Sequence, residues 1–155
     1  MDMPSDRPWA VAMNWHDLLF MHWPVAAESI RSLIPSTLEI DTFDQTAWVG
    51  VIPFHMTGVR HRRLPQMLAS RFPEINVRTY VRLEGRPGVW FFSLDAANWC
   101  AVKAARRFYH LPYHHARMTA VNVNGAVRYA SRRVSRSGAA DAEFAADYNG
   151  GETFS

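Results

Sequence analysis

The most regular pattern of hydrophobic and polar positions lies in the middle of the chain. Asn76 to Leu83 alternates polar residues with β-branched and aromatic ones, Glu84 to Gly88 contains glycine and proline, and Val89 to Ser93 is again apolar. Alternation with a period of two predicts a strand, and a glycine- and proline-containing segment between two such runs predicts a turn. This stretch therefore predicts a β-hairpin.

The segment after this hairpin is rich in alanine and has helical periodicity. Ala97 to Phe108 is predicted to form a helix that Asp95 caps and that ends before Pro112, because proline cannot continue a helix. One face of this helix carries small or apolar residues and is expected to pack on a sheet: Ala97, Ala101, Ala104 and Phe108. Extended structure is predicted to resume from Tyr113 to Val123.

The N-terminal part contains a predicted strand followed by a short helix. Asn14 to Val25 mixes aromatic and apolar residues, which predicts a first strand with Trp15 and Trp23 in or beside the core. Ala26 to Ile34 has apolar residues on one side and predicts the helix.

Two further strands are predicted next, joined as a hairpin. They are Leu38 to Phe43 and Ala47 to Val59, connected at Asp44 to Thr46. Both faces of the second strand are apolar, which predicts a central strand covered on both sides. Pro53 lacks an N–H group, so a bulge or a locally unpaired edge is expected there. Thr57 to Arg71 has little pattern and is predicted to be a lid loop.

The C-terminal part predicts strands only. Asn124-Gly125 between Arg117 to Val123 and Ala126 to Arg133 predicts a hairpin with a type I′ turn, and Ala142 to Tyr148 predicts a strand after a turn at Ser135 to Gly138. Together the elements predict an α+β fold. Its main part is an antiparallel sheet that curls toward a barrel, and the alanine-rich helix packs on or into it.

Composition is consistent with one folded domain. A chain of 155 residues with 48% hydrophobic residues can bury a substantial core, so a short tail, 1–13, followed by a single domain, 14–155, is expected. No apolar run is long enough to cross a bilayer, and Met1 to Pro8 lacks the features of a secretion signal, so a cytoplasmic protein without a membrane partner is expected. The single cysteine, Cys100, is expected to be a packed thiol.

The formal charge of +3 is modest, and Lys103 is the only lysine. Two arginine clusters, one at Arg60 to Arg63 with Arg71 and one at Arg132 to Arg136, lie beside predicted turns. They are interpreted as solvated loops rather than a nucleic-acid surface. The seven histidines have poor metal-ligand spacing, and no phosphate-binding or dinucleotide-binding motif is present, so neither a metal nor a cofactor is expected.

One face of the central strand is polar and is the candidate binding surface. It carries Asn76, Arg78, Tyr80 and Arg82. If this face lines the interior of a barrel, Arg78 can hold a carboxylate while Asn76 and Tyr80 hydrogen-bond the rest of a ligand. If it faces solvent, these are ordinary surface residues, and the pattern does not choose between the two. Glu74 is either an acid or base or the partner of a nearby arginine, and Asp95 is either an acid or base or only a helix cap.

Five motifs carry a resemblance to a known family. They are WHDLLFMHWPV from Trp15, LEIDTFD from Leu38, AWVGVIPFHMTGVR from Ala47, FPEINVRTYV from Phe72 and GVWFFSLDA from Gly88. The chain resembles the YqjF-like, or DUF2071, family, which is more distantly similar to acetoacetate decarboxylases. The resemblance implies a largely antiparallel β fold closed around an internal pocket. The family continues beyond Ser155, so a C-terminal truncation, an uncovered sheet edge and self-association into a homo-oligomer are expected.

The resemblance also implies where a decarboxylase would carry its Schiff-base lysine, directly after a proline that follows the helix. Tyr113 stands at that position, and Lys103 is predicted to point to solvent from the opposite helix face. The expected function is therefore to bind or convert a small organic (keto) acid in an internal pocket without a Schiff base.

Tyr113 and Glu74 are the candidate catalytic residues, and Arg78, Asn76 and Tyr80 are the candidate ligand-binding residues. A phenol can orient a ligand or donate a proton, although Tyr113 is otherwise a packed aromatic residue. The alternatives are a non-catalytic ligand-binding or assembly module and a truncated fragment without function.

Overall fold

The structure is a computed structural model that describes residues 10–63, 65–134 and 142–150. Its strands are β1 (Val11–His16), β2 (Met21–Val25), β3 (Glu39–Ile40), β4 (Ala47–His61), β5 (Ser70–Leu83), β6 (Arg86–Ala96), β7 (Tyr113–Val123), β8 (Ala126–Arg133) and β9 (Glu143–Asn149). The helices are α1 (Ala27–Arg31) and α2 (Trp99–Phe108), with a 3-10 turn at Gln66–Leu68. None of these helices is long and apolar enough to cross a membrane.

The strands form one sheet in the order β1-β4-β5-β6-β7-β8-β9, with β2 also paired to β4 and β3 to β5. All pairs are antiparallel except β6 and β7, which run parallel through three residue pairs and are connected by α2. The predicted α+β fold with a mainly antiparallel, curled sheet is confirmed. In the described part of the chain β1 and β9 lie at opposite ends of the strand order, so the sheet is not closed into a barrel.

Side-chain contacts show how strongly the sheet curls. Tyr129 of β8 is 1% exposed and donates a hydrogen bond to the backbone oxygen of Glu74, at 2.7 Å, although β6 and β7 separate their strands. Asn122 and Tyr148 bind Asp17, in the connection between β1 and β2, through its carboxylate and its backbone oxygen. These bonds bring the β7–β9 part against the β1–β5 part.

The two helices cover opposite faces of the sheet. Val102 of α2 packs with Ile52 and Phe54 of β4, whereas Ile30 of α1 packs with Ala47, which lies on the other face of the same strand. The prediction that β4 is central and covered on both sides is confirmed. This arrangement buries most of β5, the neighbour of β4.

Pro53 lies where the partner of β4 changes. β2 pairs with β4 up to Val51 and β1 pairs with it from His55, while Leu19 N donates to Pro53 O at 3.2 Å between them. The N and O atoms of one strand residue point to the same edge, so the missing N–H faces the gap between β1 and β2. The expected unpaired edge is confirmed, and the β4–β5 register continues past Pro53 without a shift.

One prediction for the N-terminal half is wrong. Asn14 to Val25 is not one strand, because Asp17, with φ +53°, begins a connection that separates β1 from β2. Trp15 and Trp23 are about half exposed, although the ring centroid of Trp15 lies 5.0 Å from that of Phe54. β1 begins at Val11, within the range 1–13 that was expected to be a tail.

The predicted hairpin between Leu38 and Val59 does not form. Asp44 and Gln45 make a tight turn with positive φ, closed by the single bridge Phe43–Thr46. The strand before it, β3, has two residues and pairs with Arg82 and Val81 of β5 rather than with β4.

Helix α2 differs from its prediction at its start and on its buried face. Asn98, not Asp95, is the N-cap, and its side chain accepts a hydrogen bond from Ala101 N at 3.0 Å. Val102 is the buried residue of the helix, while Ala104 and Phe108 of the predicted packing face are exposed. The helix face that contacts the sheet is therefore offset by about one residue from the predicted packing face.

Two smaller expectations are also wrong. The predicted lid, Thr57 to Arg71, is shorter than expected, because β4 extends to His61, β5 begins at Ser70 and a 3-10 turn lies at Gln66–Leu68. The basic residues Arg60 and His61 consequently lie in β4 rather than in a loop. Cys100 is exposed rather than packed.

The hairpins with strong turn signals are confirmed. Glu84 and Gly85 connect β5 to β6, and Asn124 and Gly125 connect β7 to β8, with positive φ at all four residues as a type I′ turn requires. The predicted last strand corresponds to β9. The turn predicted at Ser135 to Gly138 lies outside the described residues.

Candidate functional site

The inward face of β5, defined here as Glu74, Asn76, Arg78 and Tyr80, runs from the interior to the surface. Glu74 is 3% and Asn76 2% exposed, whereas Arg78 and Tyr80 are partly buried, and the next residue on this face, Arg82, is exposed. The sequence left open whether this face lines the interior or the solvent. It lines the interior at Glu74 and Asn76 and opens toward the solvent beyond Arg78.

At the deep end of this face, Glu74 meets Tyr113. The Tyr113 hydroxyl donates a hydrogen bond to Glu74 Oε2 at 2.8 Å. The parallel pairing of β6 with β7 positions Tyr113, because its register partner Leu94 lies opposite Asn76 of β5, on the face that Glu74 shares. The first residue of β7 thus reaches across β6 to the carboxyl group on β5.

Burial changes the acid–base properties of both groups. Loss of hydration raises the pKa of Glu74 to about 7, and the hydrogen bond from Tyr113 opposes part of that rise. Burial, the nearby Glu74 charge and the shared hydrogen bond together raise the pKa of Tyr113. Near neutral pH, therefore, Glu74 exchanges between its acid and base forms while Tyr113 remains a proton donor.

Two polar atoms further along the face have no hydrogen-bond partner. Oδ1 of Asn76 and Nε of Arg78 are both inaccessible to solvent and unpartnered in the described structure. A buried polar group without a partner costs about 1–3 kcal/mol. One acceptor and one donor beside a titratable carboxyl are the kind of groups that a polar ligand would satisfy.

Tyr80 is held by a histidine from β2. Nε2 of His22 and the hydroxyl of Tyr80 are 2.7 Å apart, and their rings are stacked at 22°. The sequence analysis did not include His22 in the site. No local pattern marks it, because its position depends on the pairing of β2 with β4, opposite Gly50.

Asp95 has a structural partner rather than a capping role. Arg133 of β8 binds it with NH2–Oδ1 at 2.7 Å and with Nε 3.1–3.2 Å from both oxygens, and the side chain of Asp95 is buried while that of Arg133 is partly buried. Asp95 pairs with Ile75 in register, so it lies on the sheet face opposite Glu74. The ion pair ties β6 to β8 outside the Glu74 environment.

Lys103 lies on the exposed side of α2, as predicted. Its Nζ is 3.8 Å from the ring centroid of Trp99, and both residues are exposed. The Glu74–Tyr113 pair lies on the buried side. The described residues also contain no group of three or more His, Cys, Asp or Glu side chains arranged to hold a metal ion.

Two grooves of the described structure include neither Tyr113 nor Arg78, two residues predicted for the internal pocket. One groove lies on β7–β9 around Met118, Ala130 and Phe144, and the other lies on the exposed side of α2 around Lys103 and Phe108. Glu74 is 3% exposed, so a ligand that reaches it must first displace side chains that cover it.

Solved structures place this fold in a known class. The chain is similar to an acetoacetate decarboxylase from Legionella pneumophila, with TM-score 0.63 and 12% identity, covering 84% of this chain and 50% of that one. It is similar to the enduracididine biosynthesis enzyme MppR complexed with the condensation product of pyruvate and imidazole 4-carboxaldehyde, with TM-score 0.65 and 12% identity, covering 84% and 53%. The fold is thus that of acetoacetate-decarboxylase-like proteins.

Sequence comparison then identifies the family. Residues 12–155 match the DUF2071 family, described as an uncharacterized conserved protein, and the chain belongs to it. The chain is 46% identical to the uncharacterized protein YqjF of Bacillus subtilis over 129 residues, which cover 83% of this chain and 53% of that protein. The chain spans about half the length of these relatives.

Proposed function

We propose that this chain binds a small organic acid of the keto-acid class on the inward face of β5, and that Glu74 and Tyr113 act on it as an acid–base pair. The observation that carries the proposal is the buried Glu74–Tyr113 hydrogen bond, in which the carboxyl group has a pKa of about 7. A group with this pKa can both take and return a proton near neutral pH.

The ligand contacts follow from the unpartnered atoms. Arg78 supplies a donor for a carboxylate, and its planar guanidinium can hold both carboxylate oxygens. The Asn76 amide can present either its oxygen or its nitrogen, so it suits a keto oxygen or a hydroxyl group. Pyruvate is bound by MppR, which shares the fold, and this supports keto acids as the first class to test.

The proposed chemistry does not use an imine. Tyr113 remains a phenol at neutral pH and cannot form a Schiff base, and Lys103 lies on the exposed side of α2. A reaction at this site is therefore limited to proton transfer at a bound keto acid, such as enolisation next to its carbonyl group. A module that only binds the acid would use the same Arg78 and Asn76, so binding and turnover need separate measurements.

Binding is tested by isothermal titration calorimetry with pyruvate, 2-oxobutyrate and acetoacetate. Arg78→Lys removes the planar fork and is expected to weaken binding about 5- to 100-fold, the range for a charge-assisted hydrogen bond. Arg82→Lys is the matched control, because Arg82 is the next residue on the same face but is exposed and paired with Asp41. If no acid binds, or if both variants bind like the unmodified chain, the proposal is wrong.

Proton transfer is tested by deuterium exchange at C3 of pyruvate, followed by proton NMR in heavy water. Glu74→Gln is expected to abolish protein-dependent exchange while pyruvate still binds, because glutamine cannot accept the proton. Tyr113→Phe is expected to keep the fold, to weaken binding and to slow exchange, with Tyr109→Phe as the control at a half-exposed tyrosine. Binding without any exchange in the unmodified chain would favour the non-catalytic module.

A further inference from the structure

At the solvent-facing end of the inward face, the guanidinium group of Arg78 packs beside two aromatic rings. The guanidinium carbon of Arg78 lies 5.8 Å from the ring centroid of Phe20 and 5.7 Å from that of Tyr80. In the described residues no acidic side chain forms an ion pair with it. Its positive charge is therefore positioned but not neutralised.

The rings that hold Arg78 are themselves fixed in a row. Phe20 and His22 are stacked at 5° with centroids 6.3 Å apart, and His22 and Tyr80 at 22° with centroids 5.8 Å apart. The His22–Tyr80 hydrogen bond ties the second pair together. The order of the row is thus Phe20, His22, Tyr80, with Arg78 beside both of its ends.

Gly50, which has no side chain, leaves space for this row of rings. His22, Gly50 and Arg78 lie side by side across β2, β4 and β5. A Cβ atom at Gly50 would lie 3.0 Å from His22 Nε2 and 3.0 Å from Ile52 Cδ1, which is tighter than most packed contacts, so the imidazole would have to shift. Glycine at this position therefore lets the imidazole cross β4 to reach Tyr80.

Phe20 differs from the other two rings because it is 55% exposed. It lies in the connection between β1 and β2, next to Leu19, whose N–H binds Pro53 O. A large apolar ring that is held at the surface beside an unneutralised cation suits an organic anion with a flat, apolar body. Pyruvate has no such body and would gain nothing from Phe20.

We infer that the site takes a 2-oxo acid with an aromatic side chain, in which Arg78 binds the carboxylate, Phe20 stacks on the ligand ring, and His22 positions Arg78 through Tyr80. This inference rests on the proposed function and specifies its substrate class. Phe20 is then a specificity-determining residue, and His22 is a positioning residue that touches no ligand atom.

The first test compares the dissociation constants of phenylpyruvate and pyruvate by calorimetry. Phenylpyruvate is expected to bind about two- to tenfold tighter, the range for one aromatic stacking contact. Phe20→Ala should abolish the difference between the two acids, although the loss of a ring beside Arg78 weakens the binding of both. Trp23→Ala, at another half-exposed ring of the same region, should preserve it.

The second test asks whether His22 acts through Tyr80. His22→Ala and Tyr80→Phe should each weaken both acids about two- to tenfold, and the double variant should be no weaker than either single one. His22→Gln should recover part of the affinity, because its amide can still hydrogen-bond the Tyr80 hydroxyl. Additive losses, or no recovery with glutamine, would overturn the positioning role.

The outcomes separate this inference from the function on which it rests. If pyruvate binds but phenylpyruvate binds no tighter, or if Phe20→Ala leaves their ratio unchanged, the aromatic substrate class is wrong and the proposed function stands. If neither acid binds the unmodified chain, both are wrong.

Discussion

Glu74 and Asp95 are two buried carboxyl groups on neighbouring strands, and they differ in their partners. Asp95, 5% exposed, meets a guanidinium at 2.7 Å, whereas Glu74, 3% exposed, meets a neutral phenol at 2.8 Å. They lie on opposite faces of the sheet, because Asp95 pairs with Ile75 in register. The two carboxyl groups are thus similarly buried, but Asp95 has a cationic partner and Glu74 has only a neutral hydrogen-bond donor.

The difference separates a carboxylate that connects two strands from a carboxyl group whose protonation changes near neutral pH. A buried carboxylate that is paired with arginine keeps two strands together. A buried carboxyl group without a cation keeps its proton to higher pH, as the raised pKa of Glu74 shows. A partner charge, rather than burial alone, therefore decides which carboxyl group is available for acid–base chemistry.

The largest expected effect is at the paired carboxylate. Arg133→Met leaves Asp95 buried without its cation and should lower the free energy of unfolding by about 3–5 kcal/mol, measured by urea denaturation. Arg132→Met is the matched control, since Arg132 pairs with Glu143 at the surface, where ion pairs contribute little. Equal losses in the two variants would contradict the structural role of the buried pair.

The next effect is the pH dependence that Glu74 imposes. Its pKa is higher in the folded chain, about 7 against 4.5, so the folded state binds more protons between these values and stability falls as pH rises through them. Glu74→Gln removes this dependence. The variant should gain about 3 kcal/mol relative to the unmodified chain between pH 4.5 and 7, with little further change above.

This gain is read from urea midpoints of both proteins over the same pH series. Asp95→Asn should behave differently, with a loss at every pH from about 5.5 to 8, because it leaves Arg133 without its carboxylate partner. A stability difference between Glu74→Gln and the unmodified chain that does not vary with pH would contradict the raised pKa.

A smaller effect is expected at the phenol. Tyr113→Phe removes the donor to Glu74 and should cost about 1.5 kcal/mol when Glu74 is ionised, and less when it is protonated. The pKa of Glu74 should rise further, since the lost hydrogen bond lowers it. Carbon-13 NMR of labelled glutamate measures that pKa directly, and an unchanged value would show that the bond does not act on the charge.

The smallest effect is expected at the lysine. Lys103→Met should leave the free energy of unfolding unchanged within error, because Lys103 is exposed and contacts only the ring of Trp99 among the described interactions. Borohydride reduction in the presence of pyruvate should leave the mass of the unmodified chain unchanged. A stable adduct at Lys103 would contradict the proposed chemistry without an imine.

The parts of the fold that were predictable from sequence are local. The turns at Glu84-Gly85 and Asn124-Gly125 need only their own residues to set positive φ, and both predicted hairpins form. The first turn is shorter than the predicted Glu84 to Gly88, because β6 begins at Arg86. The prediction for the short strand β3 was wrong for the opposite reason. Its partner is β5, about forty residues away, and not the adjacent strand. Long-range pairing leaves no trace in a local pattern.

The candidate site shows the same limit. Alternation along β5 correctly grouped Asn76, Arg78 and Tyr80 on one face. It could not reveal that Glu74 meets Tyr113, because that contact depends on the parallel register of β6 with β7. Asp95 was predicted to cap a helix, but its carboxylate binds Arg133 instead. That pairing was not predictable, because Arg133 lies on a strand that is distant in the sequence. His22 was missed because strand pairing alone brings it to Tyr80.

The parallel joint between β6 and β7 also has a consequence for the time course of folding. The hairpins β5–β6 and β7–β8 close two-residue turns and can form within microseconds, whereas the three-pair joint must wait for α2 to fold and dock. The hydrogen bond between Glu74 and Tyr113 spans that joint. We therefore expect acid–base competence to be among the last properties that a refolding chain acquires, after most of its secondary structure is in place.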